Sequence, residues 1–168
     1  MSKKERLERQ KEAIRTGFEN GLSQEQIQMY ADPKYDAGQM RAIRLGFRNG
    51  LTLEQVNFYA DPKYNYDQMR EIREGLENGL SIEQVSIYAK LQYDAEQMAQ
   101  IRYGLEDNFS TEQINFLADP TISSSQMRYI RKGFEIGLLQ ESIQVLKESK
   151  GNWFELTKIF NEECEKTL

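Results

Sequence analysis

Five arginines stand 29 residues apart, Arg15, Arg44, Arg73, Arg102 and Arg131, each directly after an isoleucine. A guanidinium presents its N–H donors in a fixed fork that fits carboxylates and phosphates. A regular row of them therefore suits one of two tasks. It can grip phosphates or an acidic partner, or it can bond the chain's own carbonyls and carboxylates while its stems pack. Glu19, Glu77, Glu106 and Glu135 follow four of these arginines at i+4, whereas Arg48 stands at that place in the second copy. Those pairings favour the architectural task. Two tyrosine series, Tyr30, Tyr59, Tyr88 and Tyr35, Tyr64, Tyr93, recur at fixed positions beside them. Such rows stack bases in some nucleic-acid binders, but at helical spacing packing is the better expectation.

Catalytic chemistry has little to stand on. The chain contains no histidine and a single cysteine, Cys164. That removes the Ser-His and Cys-His couples, the imidazole base, imidazole metal ligands and any internal disulfide. The carboxylates sit at helix caps and polar faces, and no phosphate-cradling glycine motif occurs. The expectations are no enzyme, no catalytic residue, no metal, no cofactor and no small-molecule substrate.

The elements that position these residues follow from the repeat itself. Gln-Met-Arg-x-Ile-Arg recurs at Gln39, Gln68 and Gln126, with a variant at Gln97. The frame gives five copies, 10–38, 39–67, 68–96, 97–125 and 126–154, after an extension at 1–9 and before the remainder of a capping helix at 155–168. Within a copy the punctuation predicts two helices. Asp36 with Gln39, and Thr52 with Gln55, have the spacing of capping boxes, and Tyr35 with Met40 that of a hydrophobic staple. Asn49-Gly50 ends the first helix and Asp61-Pro62 the second. Other copies keep this grammar, with first-helix caps at Asn65, Asp94 and Ser123 and second-helix caps at Ser23, Ser81 and Ser110. Copy four loses its terminating glycine at Asn108-Phe109, and copy five loses its second cap at Leu139. The reading is all-α: an α-solenoid of five tandem two-helix repeats with a C-terminal capping helix, forming one domain over 1–168. In that cap Trp153, Phe154, Leu156, Ile159 and Phe160 are expected to cover the last layer. Glu155, Glu162, Glu163 and Glu165 are expected to face solvent.

Internal glycines, Gly17, Gly46, Gly75, Gly104 and Gly133, interrupt each first helix. A mid-helix glycine costs about 1 kcal/mol relative to alanine, so a close helix–helix approach is expected to compensate. Positions that vary between copies are expected on the surface, where repeat proteins place recognition. They are the residues before the glycine (Thr16, Leu45, Glu74, Tyr103, Lys132) and before the isoleucine (Ala13, Ala42, Glu71, Gln100, Tyr129). With the arginine row, they nominate Arg44, Arg73, Arg102, Arg131, Leu45, Glu74, Tyr103 and Tyr129 as partner-binding residues.

Net charge is −5, and the copies carry −2, +1, −3, −3 and +2 in order. This argues against a general nucleic-acid coat and favours a protein partner with a basic patch. No stretch is apolar enough for a bilayer span, and the start of the sequence lacks a secretory signal. A cytoplasmic protein with no membrane partner is expected.

The pattern Gln-Met-x-x-Ile-Arg-x-Gly-Leu/Phe-Glu-x-Gly-Leu-Ser-x-Glu-Gln-Val-x-x-Tyr-Ala-Asp-Pro-x-Tyr resembles repeats of proteins from conjugative elements and prophages of Gram-positive bacteria. Gln68 to Tyr88 carries it well, and it covers nearly the whole chain. The resemblance implies a mobile-element protein. Small, enzyme-free proteins of that origin often look like inhibitors of host defence, anti-CRISPR proteins among them. The expected function is thus a non-enzymatic protein-binding module that docks on a host nuclease or other nucleoprotein complex. Direct nucleic-acid binding through the Arg/Tyr rows, or a structural assembly role, are the alternatives.

Overall fold

A computed structural model describes residues 2–149 and 151–167. Met1 in the extension, Lys150 in the fifth copy and Leu168 in the cap lie outside the described residues, as do the side chains of Lys3, Arg6 and Thr167. Among the described residues there are eleven helices and no strand, so the chain is all-α.

Local chemistry sets the helix starts. From α1 (Lys3–Glu19) through α9 (Ser124–Glu135), each N-cap side chain accepts the N3 backbone N–H, and each N3 side chain accepts the N-cap N–H in return. At the start of α3 (Ala37–Arg48) both bonds, between Asp36 and Gln39, are 2.8 Å long. A good cap is worth about 1 kcal/mol, so the boxes fix the boundaries before any packing occurs. α10 (Gln140–Glu148) has no side-chain cap at Leu139, while Asn152 and Glu155 close another box at the start of α11 (Trp153–Thr167). Gly21, Gly50, Gly79 and Gly137 take positive φ at the helix ends, and Asn108 substitutes at φ 58, as asparagine can.

Two compact units divide the chain at Leu91 and Gln92. That break falls where Ala89-Lys90-Leu91-Gln92 stands in place of Ala-Asp-Pro-Lys, after the short α6 (Ile82–Val85).

In the first unit α1 packs on α2 (Gln24–Tyr30) and α3, and α3 packs on α4 (Leu53–Tyr59) and α5 (Tyr66–Glu77). Ile43, Met69 and Ile72 are fully buried there with Tyr30, Tyr59 and Tyr88. Each of these tyrosines donates its hydroxyl back to the preceding helix, Tyr30 to the Ala13 carbonyl at 2.8 Å, Tyr59 to Ala42 at 3.2 Å and Tyr88 to Glu71 at 3.2 Å. Gly17 and Gly46 make room for that hydroxyl. A Cβ on Gly17 or Gly46 would overlap the oxygen of Tyr30 or Tyr59. Burial pushes the phenols of Tyr30 and Tyr59 up from the ordinary tyrosine range. The second tyrosine series ties consecutive loops: Tyr35 donates to the Ala60 carbonyl and Tyr64 to Ala89. Gln39 completes the join. Its amide nitrogen donates to the carbonyls of Pro62 and Tyr64 at 2.9 and 2.6 Å, while its oxygen stays in the capping box.

The second unit uses the same devices. α7 (Ala95–Glu106) packs on α8 (Thr111–Leu117) and α9, and α9 also packs on α10 and α11. Gln97 reaches Pro120 and Ile122, Gln126 reaches Lys147 and Ser149, and Tyr93 donates to Ala118. In α11, Leu156 is fully buried and Ile159 and Phe160 partly so. Trp153 and Phe154, expected to cover the last layer, instead face solvent at 59% and 71% exposure. They occupy the first turn of α11. Glu163, expected in solvent, is buried and accepts the Ser142 hydroxyl at 2.7 Å and Lys166 at 2.5 Å. A carboxylate tolerates that position because its partners offset its desolvation.

Candidate functional site

The arginine row begins at the end of each isoleucine turn, at the margin of the buried stripe, where a long side chain packs its stem and leaves its head to find a partner. Arg73 is buried and meets Glu77 at 2.8 Å and Glu74 at 3.7 Å, with its Nε unbonded. Arg102 is buried against Glu106 at 2.9 Å. Arg131 is half-buried and pairs with Glu135, with Asp107 at 3.5 Å and with the Gln100 side chain at 3.3 Å. Arg15 lies on the surface between Glu12 at 2.8 Å and Glu19 at 3.8 Å.

Arg44 differs from all four. It is half-buried and makes no hydrogen bond or ion pair among the described residues, because Arg48 stands where the others have glutamate. Its nearest influence is on the Tyr30 phenol, which its charge pulls down against the larger upward effect of burial. Arg9, Arg41 and Arg48 are equally without protein partners. With Arg9 and Arg41, Arg44 rims a hollow of about 200 Å³ between α1 and α3, whose walls include Ala13, Ala37, Met40 and Tyr30. Sequence reasoning did not single out Arg9, Arg41 or the hollow. The break in the i+4 rule at Arg48 was the available signal.

The copy-variable positions divide. Those before the glycine are accessible: Leu45 and Glu74 are half-exposed and Tyr103 is 38% exposed. Tyr103 lies 4.5 Å from the Arg102 guanidinium and 5.3 Å from that of Arg131, ring centroid to carbon, so two cations hold one aromatic ring. Those before the isoleucine were expected on the surface, and there the structure disagrees. Ala42, Glu71 and Tyr129 are buried. Tyr129 packs 5.4 Å from the Phe160 ring and shares a hydrogen bond with the Thr157 hydroxyl at 2.5 Å. The position lies one residue before the isoleucine, toward the next first helix. Packing of α9 on α11 therefore covers it, and Tyr129 is removed from the accessible candidates.

Among the described residues no three metal-ligating side chains converge, and Cys164 is a half-buried free thiol. The carboxylate held lowest is Asp119, at about 2, where the Thr121 hydroxyl and N–H donate to it and Lys147 adds its charge. These contacts close a turn. No described helix is long and apolar enough to cross a membrane. No protein family, curated protein or solved structure matches the chain.

Proposed function

We propose that the chain is a non-enzymatic protein-binding module, built as one α-solenoid of five tandem 29-residue repeats with a capping helix. Support for the architecture comes from the recurrence of the same bonds at the same interval, as in Gln39 to Pro62 and Gln97 to Pro120, both 23 residues. Support for protein binding comes from Tyr103. It is an accessible aromatic at a position the repeat leaves free, and Arg102 and Arg131 hold its ring in place. Rigid tyrosine and arginine side chains that need little further ordering dominate binding energy at protein interfaces. The first tyrosine row offers no platform for bases, since Tyr30, Tyr59 and Tyr88 are fully buried and hydrogen-bonded. The resemblance of the repeat to mobile-element proteins makes a host defence nuclease complex of the cytoplasm, a CRISPR effector for example, the first partner to test.

The experiment is affinity capture from a bacterial lysate with mass spectrometry, run in parallel with wild type and Tyr103→Ala. A reproducible protein partner that is lost with the variant is the expected result. Capture of no protein, or equal capture by both chains, sinks this reading.

A further inference from the structure

The net charge of −5 hides a local surface of opposite sign. Arg41, Arg44 and Arg48 are spaced i, i+3, i+7 on α3 and so form one stripe about 10 Å long. Arg9 of α1 faces the same hollow as Arg41 and Arg44. None of the four has a protein partner among the described residues, although ladder arginines elsewhere each have a carboxylate. The acidic residue lining the hollow, Glu12, is engaged by Arg15 at 2.8 Å. Clustered cations without counter-charges repel one another, so the second copy keeps an arrangement that own-chain packing does not reward. The hollow itself is walled mainly by apolar groups, Ala13, Ala37 and Met40 among them. A dry cavity of about 150 Å³ holds a benzene ring. One of about 200 Å³ therefore admits a leucine or phenylalanine side chain.

We propose that the hollow and the arginine stripe beside it dock an acidic, amphipathic segment of a protein partner. One apolar side chain enters the hollow and flanking carboxylates meet Arg9, Arg41 and Arg44, with Arg48 extending the contact. Guanidinium forks bind carboxylates bidentately, which gives such a segment a defined register. A nucleic-acid strand fits less well. The aromatic ring in the wall, Tyr30, is fully buried and offers no stacking face, and the chain as a whole is negative. This proposal names partner chemistry and rests on the protein-binding reading.

The test is fluorescence anisotropy on the full chain with a labelled peptide of glutamate and leucine, at low and physiological salt. Saturable binding that weakens with salt is expected, with a loss of about tenfold in the Arg41→Gln/Arg44→Gln variant and none in Lys158→Gln, an exposed cation of the second unit. Should the double variant lose its helical circular dichroism, Arg41→Gln alone carries the test. Arg41 is exposed and unpaired, and about threefold weaker binding is expected. Equal binding by wild type and variants, or no saturable binding, overturns the site. So does displacement by a single-stranded oligonucleotide at lower concentration than unlabelled peptide, which would reassign it to phosphates. A wild-type dimer in sedimentation that the double variant dissolves would reassign it to a second copy. Failure here leaves capture through Tyr103 intact, whereas a failed capture beside saturable peptide binding removes Tyr103 as the contact and not the hollow, so the two failures are distinguishable.

Discussion

The Tyr59 hydroxyl occupies the place where a Cβ on Gly46 would stand, and from there it donates 3.2 Å to the carbonyl of Ala42, one turn before that glycine. Gly46→Ala gains about 1 kcal/mol of helix propensity but drives a methyl into a fully buried phenol. Overpacking of this kind costs about 1–3 kcal/mol, so a net loss in urea unfolding is expected. In a Tyr59→Phe background the loss should shrink by about 1 kcal/mol, the signature of a direct contact. Gly104→Ala is the control. Leu117 replaces tyrosine in that copy, and the new methyl would meet Ile114 Cδ1 and the edge of the Phe109 ring at 3.1 Å each and Leu117 Cδ2 at 3.5 Å, none as close as the phenol oxygen on Gly46. It should be neutral or stabilising, by up to about 1 kcal/mol.

Arginines of the same sequence series should differ in what they hold up. Glu77→Gln leaves Arg73 buried without its main counter-charge, and a loss of about 3 kcal/mol is expected from denaturant midpoints. Arg44→Gln removes no ion pair and should change stability by less than about 0.5 kcal/mol. Equal effects would contradict the assignment of Arg73 to architecture and Arg44 to binding.

Acid should weaken the second unit through Asp119. Its folded pKa, about 2, lies below its ordinary 3.8, so the carboxylate contributes stability that is full above 3.8 and drains as pH falls toward 2. Asp119→Asn cannot titrate. Its stability should fall less steeply than wild type across that window, with the two curves converging at the acid end. Parallel curves in urea titrations would exclude the turn bonds to Thr121 and Lys147 as the cause.

Tyr129 and Tyr103, nominated alike from the sequence as partner-binding residues, should part in their effects. Tyr129→Ala opens a cavity beside Phe160 and removes the hydrogen bond to the Thr157 hydroxyl, at a cost of about 3 kcal/mol or more. Tyr103→Ala loses two partly exposed cation–π contacts, and under about 1 kcal/mol is expected. Thermal midpoints of the two variants, set beside partner capture, separate a stability residue from a binding residue.

The sequence by itself determined the local grammar. Capping boxes, terminating residues and the 29-residue frame are contacts within a few residues, so Asp36–Gln39 or Ser81–Gln84 can be read without knowing the fold. Asn108 at positive φ and the uncapped Leu139 fall where that grammar breaks. Tertiary structure alone decided which side of a first helix its neighbours cover. Helical periodicity orients a buried stripe but does not fix its width, and the packing of α9 on α11 extends it over Tyr129. It likewise decided which charges are spent. The i+4 glutamates are visible in the sequence, but whether a guanidinium finds any other carboxylate depends on residues brought close from other helices. For Arg44 none is, and that vacancy, together with the hollow beside it, exists only once α1 and α3 are packed.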